Sequence, residues 1–93
     1  MTDSAESDLA RRKRLRFRSA HRGSKELDLI LGPFARRYVD NFTTVQLDRY
    51  ERLLELPEPE LFGWLTGQIE VPHAERNDVV EMLLTFDPTQ ATP

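Results

Sequence analysis

The chain has 93 residues, no cysteine and a formal net charge of −3. A chain of this length makes one domain with a modest core, burying roughly 60–65 % of its unfolded surface. Without cysteine it has no disulfide, no thiolate metal site and no cysteine nucleophile. The charge is strongly segregated: residues 1–8 hold three acids and no base, residues 9–25 eight bases and no acid, and residues 26–93 five bases against thirteen acids.

β-Branched residues are few and apolar alternation never lasts, whereas helical periodicity recurs. The expectation is an all-α, compact five-helix single domain with disordered polar termini: 1–7 as a disordered lead, 8–87 as the folded domain and 88–93 as a frayed tail. The first helix is expected over 8–20, with Ser7 or Asp8 as its start. Arg11, Arg14 and Arg18 give it a basic stripe, while Leu9, Leu15, Phe17 and Ala20 make a weak apolar side. A second helix spans 24–41, with Leu27, Ile30, Leu31, Phe34, Tyr38 and Val39 on its buried side. Gly32-Pro33 predicts a kink or break near Asp28–Gly32, because proline removes a backbone bond and clashes with the preceding turn.

Thr43 with Gln46 three residues on reads as a capping box for a third helix over 44–55. Leu47, Tyr50, Leu53 and Leu54 are its core side. Pro59 suits the first turn of a fourth helix over 58–66, which carries Leu61, Phe62, Trp64 and Leu65 and stops at Gly67. A fifth helix is expected over 73–86 with Val79, Val80, Leu83 and Phe86 inward. No apolar run reaches the roughly 18–20 residues of a membrane span, and the acidic start resembles neither a secretory signal nor an acid-poor transit peptide. The expected setting is a bacterial cytoplasm, without membrane insertion.

The run His21-Arg22-Gly23-Ser24-Lys25-Glu26-Leu27-Asp28 is the first candidate for a site. Residue type alone favours a local structural role. Gly23 supplies a positive φ between two helices. If Gly23 is the N-cap, Glu26 sits three residues in and reaches back to an unpaired amide, leaving Arg22 solvated. A functional role needs Arg22 and Glu26 on one exposed rim, with Gly23 bare for a partner backbone to approach. Both roles are compatible. Ser24 and Lys25 lie between them, and Asp28 is placed to tether Lys25 or Arg22.

His21 and His73 have no clustered acids and read as surface or capping histidines, and no nucleophile or metal motif is present. The basic 9–25 helix offers an alternative function, a small nucleic-acid-binding or regulatory module acting through phosphates. It lacks interleaved aromatics and has an acidic body behind it, so a solvated helix or a dock for an acidic protein surface stands ahead of nucleic acid.

Four segments in register are similar to the SdhE-type succinate dehydrogenase assembly (flavinylation) factors. They are Arg22-Gly23-Ser24-Lys25-Glu26-Leu27-Asp28, Pro33-Phe34, Leu53-Leu54-Glu55 before a proline turn, and Pro59-Glu60-Leu61-Phe62-Gly63-Trp64-Leu65, spread over roughly residues 14–86. The resemblance implies a five-helix protein that is not itself an enzyme. It implies binding to the flavoprotein subunit of succinate dehydrogenase, and in some bacteria of fumarate reductase, and promotion of covalent FAD attachment there. FAD is expected to be delivered to or attached on the client and not bound stably by this chain, which is expected to be a monomer. The Arg-Gly-x-x-Glu surface, Arg22, Gly23 and Glu26 here, is the implied partner-binding part, with Ser24, Lys25 and Asp28 beside it. The acidic lead and the extra arginines Arg11 to Arg18 depart from shorter members of that family.

Overall fold

In the computed structural model, which describes residues 6–90, α1 (Asp8–Ala20) starts at Ser7, whose hydroxyl accepts from the Ala10 amide at 3.0 Å. The expected lead and tail fall mainly on residues 1–5 and 91–93, outside the described residues. α2 (Lys25–Tyr38) follows a four-residue connection and passes into a 3-10 turn, Val39–Asn41. Then come α3 (Thr44–Leu54), α4 (Glu58–Thr66), a 3-10 turn at His73–Glu75, α5 (Asp78–Leu84) and a last 3-10 turn at Pro88–Gln90. No strand occurs among the described residues.

Two expectations need correction. α2 runs across Gly32-Pro33 without the break that is one of the two outcomes expected there. The proline's missing amide frees only the carbonyl of Leu29, at an exposed position where water can bond it. Leu27, Leu31, Phe34 and Ala35 are fully buried on either side, so packing holds the helix across the gap. Gly32 packs against α1, where an added Cβ would make only an ordinary contact with Ala20 Cβ at 3.6 Å. The fifth helix, in turn, starts late. Asn77 takes an extended backbone and its side chain accepts from the Val80 amide at 2.9 Å, making it the N-cap of α5. Residues 73–75 form a separate 3-10 turn, and Phe86 lies beyond the helix end.

α2 ends at Tyr38, with the last three residues expected in it forming the 3-10 turn, and the remaining boundaries agree with the sequence to within a residue or so. Thr43 and Gln46 form the full capping box, and Gly67 ends α4 at φ +79. The core joins Leu15, Leu27, Leu31, Leu47, Leu54, Leu61 and Val79 around a group of rings. Phe34 is its hub, with Tyr38, Tyr50, Phe86 and Phe42 at centroid distances of 5.0, 5.5, 5.3 and 6.2 Å.

The apolar side expected for α1 is largely not buried. Leu9 is 76 % and Phe17 65 % exposed, while Leu15 and Ser19 are its only buried residues. Ser19 is polar and buried because its hydroxyl is fully employed. It donates to the Leu15 carbonyl at 2.7 Å and shares a 2.6 Å hydrogen bond with the Tyr50 hydroxyl. Burial pushes the Tyr50 hydroxyl far above its ordinary pKa, opposed by the Ser19 bond and the nearby Arg22 charge.

Candidate functional site

The α1–α2 connection is braced from both sides of Gly23. On one side, the Arg22 amide donates to Asp28 Oδ1 at 2.8 Å, tying the connection to the first turn of α2. The Arg22 guanidinium meanwhile turns inward to the end of α3. Nη1 donates to the Leu54 carbonyl, and Nη2 to the Leu56 carbonyl at 3.0 Å. A helix leaves its last carbonyls unpaired, and a cation there is favoured by the helix dipole, so Arg22 is a C-terminal cap for α3 supplied from another element. Its Nε is buried without a partner among the described residues, so the terminal nitrogens alone hold it.

On the other side, Ser24 is the N-cap of α2. Its backbone is extended at φ −112, and its Oγ accepts a long bond from the Leu27 amide at 3.5 Å. Gly23 is not the cap, because its φ of +99 lies in the left-handed region while a cap requires extended backbone. The shift moves Glu26 to the second helical position, where it accepts from Ser24 Oγ at 3.2 Å and faces the positive end of the α2 dipole.

Gly23 itself is exposed, and a Cβ built on it would meet nothing within 4 Å. The positive φ is the only local reason for glycine. Lys25 and Glu26 are exposed beside it, Ser24 and Asp28 half-buried. The six candidate residues therefore divide into two sets. Arg22, Ser24 and Asp28 shape the loop, and Gly23, Lys25 and Glu26 are what a neighbour would meet. Sequence reasoning foresaw the Asp28 tether but missed the destination of the Arg22 guanidinium, whose acceptors lie more than thirty residues away on α3.

The basic segment is mostly turned onto the protein's own body. Arg11 bridges Asp48 at 2.7 Å and Glu51 at 2.9 Å, and Arg14 bridges Glu6 at 2.8 Å and Glu51 at 3.0 Å. Arg12 pairs with Asp8 at 2.7 Å and also donates to the Val39 carbonyl at 2.6 Å. Arg16 pairs with Asp40, and Arg18 reaches the Leu54 carbonyl at 3.4 Å. Partial burial alone would raise the Glu51 carboxyl, but hydrogen bonds from Arg14 and Arg11 hold it below the usual range. The hydrogen bond to Asp48 in turn raises Arg11. These arginines replace the apolar contact α1 lacks. Of the eight bases in 9–25, only Lys13 and Lys25 lack both a carboxylate and a carbonyl partner among the described residues.

Among the described residues no group of three or more His, Asp or Glu is gathered to hold a metal ion, and no helix is long and apolar enough to cross a membrane. What the geometry defines is a small helical scaffold presenting one braced loop with an exposed glycine in it. The chain matches a family model described as the flavinator of succinate dehydrogenase over residues 13–87. It is 38 % identical over 81 residues to the FAD assembly factor SdhE of Acetobacter pasteurianus, covering 86 % of this chain and 74 % of that relative. It is 37 % identical over 65 residues to the protein of that name in Pseudomonas syringae pv. tomato, covering 70 % and 77 %. The mitochondrial succinate dehydrogenase assembly factor 2 of Dictyostelium discoideum is 38 % identical over 72 residues, 77 % of this chain, which spans only 51 % of that relative. No solved structure matches. The chain belongs to the succinate dehydrogenase flavinator family. The family match begins inside α1, after Arg11 and Arg12.

Proposed function

We propose that this chain binds the flavoprotein subunit of succinate dehydrogenase and promotes covalent attachment of FAD to it, with the fumarate reductase flavoprotein as a second client. The observation that carries the reading is the bare Gly23 loop, braced by Arg22 and Asp28 and flanked by exposed Lys25 and Glu26. A loop ordered in advance pays little ordering entropy on docking. The absent side chain lets another backbone approach, and the adjacent exposed charges of opposite sign, Lys25 and Glu26, give the contact an orientation.

On this reading the flavin and its acceptor side chain belong to the client, and this chain contributes no reacting group. Its effect is to bind most tightly the client conformation in which those two are aligned. About 1.4 kcal/mol of differential affinity raises that population tenfold. Binding is as a monomer and transient, the chain releasing its client once the flavin is attached. Arg22 then matters through the loop it holds: Arg22→Lys, which reaches one carbonyl but not two, weakens client binding in proportion to its loss of thermal stability.

The test is co-purification of the flavoprotein subunit with the tagged full chain, wild type against Gly23→Arg. Capture by the wild type and none by a folded Gly23→Arg protein is the expected result. Equal capture by both removes the Gly23 loop from the interface.

A further inference from the structure

One outward side of α1 is left unexplained by the fold. Leu9, Lys13 and Phe17 recur at intervals of four, all exposed, and the stripe continues to His21 just past the helix end. Residues four apart share a helix face. The two large apolar side chains are 76 % and 65 % exposed. The Phe17 ring stacks on His21 with centroids 4.1 Å apart, and His21 Nδ1 is bonded to the Phe17 carbonyl at 2.8 Å, so the pair forms one fixed aromatic block. That block ends two residues before Gly23. Lys13 has no carboxylate partner among the described residues, whereas its neighbours Arg11, Arg12, Arg14 and Arg16 are all engaged with acids.

We infer that this stripe, Leu9-Lys13-Phe17-His21, is a second part of the client-binding surface, continuous with the Gly23 loop, and receives a segment of the flavoprotein subunit bearing apolar and acidic side chains. The inference rests on the client reading above. Its chemistry follows from what faces outward: an aromatic block and a leucine to desolvate, and a free ammonium between them to pair with a carboxylate. A second copy of this chain fits poorly. Lys13 lies midway between Leu9 and Phe17, so two-fold antiparallel packing of α1 on α1 would set the two lysines against each other.

Calorimetric titration of the purified flavoprotein subunit with the full chain tests this, with helicity of each variant checked first. Phe17→Ser is expected to weaken binding about tenfold or more, as loss of an aromatic anchor does. Lys13→Glu should weaken it several-fold and flatten its salt dependence; it carries the test where Phe17→Ser lowers helicity. Ile69→Ser, which alters an exposed apolar residue on the α4–α5 connection, should bind as wild type. Wild-type affinity for both Phe17→Ser and Lys13→Glu, with none for Gly23→Arg, overturns this inference and leaves the client reading standing. No binding by the wild type overturns both. If Phe17→Ser acts only by abolishing self-association in sedimentation, or flotation with phosphatidylglycerol vesicles, the stripe belongs to a second copy or to lipid and the inference is wrong.

Discussion

Gly23 carries a conformational demand but no packing demand, and the two separate cleanly on substitution. A side chain there meets open space but must adopt φ +99, at a cost of about 1–2 kcal/mol. Gly23→Arg should therefore keep its helical circular dichroism and melt only several degrees lower; a protein unfolded at 25 °C would show that the loop is structural alone. The Ser19–Tyr50 pair makes an asymmetric prediction. Tyr50→Phe leaves Ser19 bonded to the Leu15 carbonyl and should cost about 1 kcal/mol or less. Ser19→Ala leaves a fully buried hydroxyl unpaired and should cost about 1–3 kcal/mol. Urea titration orders the two, and a costlier Tyr50→Phe would contradict this assignment. The glycine's positive φ was legible in sequence because glycine between two helical patterns has few other uses. The inward turn of Arg22 was not, since its acceptors are set by tertiary packing.

At the scale of the element, α1 is held by its hairpin with α2 and by ion pairs, with Glu51 at the centre of the latter. Glu6, Asp8, Glu51 and Asp78 are all held below their ordinary carboxyl range, chiefly by arginine or glutamine hydrogen bonds working against burial. A depressed carboxyl stabilises the fold above its unfolded pKa and loses that contribution as pH falls through the folded value. Stability should thus be level from neutrality to about pH 5 and decline below about pH 4. Glu51→Gln should lower the plateau by about 1 kcal/mol, allowing for solvent screening, and make the acid decline shallower. Urea melts at pH 7, 5 and 3 measure both, and an unchanged acid slope would contradict the clamp. Element ends were readable where a local rule governs them, as at Thr43-Gln46 and Gly67. They were misread after Val71-Pro72, where the fifth helix was expected at residue 73 but is started by the Asn77 cap, and at Gly32-Pro33, where buried neighbours held the helix together against the expected break.

Over the whole molecule, the segregated charge of the sequence folds into mutual compensation. The basic 9–25 segment lies on Glu6, Asp8, Asp40, Asp48 and Glu51, which leaves little free cation for phosphates. A gel shift with RNA or DNA at physiological salt should show no complex; a complex lost steeply with added salt would restore the nucleic-acid alternative. The five-helix architecture and the family were visible in the sequence, because capping signals, prolines and the four matched segments all pointed to one fold. The exposed stripe of α1 was not, because Leu9 and Phe17 look like core until the ion pairs show which side of the helix faces inward.

The most direct measurement is covalent flavin fluorescence of the denatured flavoprotein subunit, from cells with no copy of this chain, the wild type, or Gly23→Arg. Fluorescence restored by the wild type and not by a folded, equally abundant Gly23→Arg protein is the predicted result. Equal fluorescence in all three would mean that the client is flavinylated unaided, and that the Gly23 loop serves some other partner.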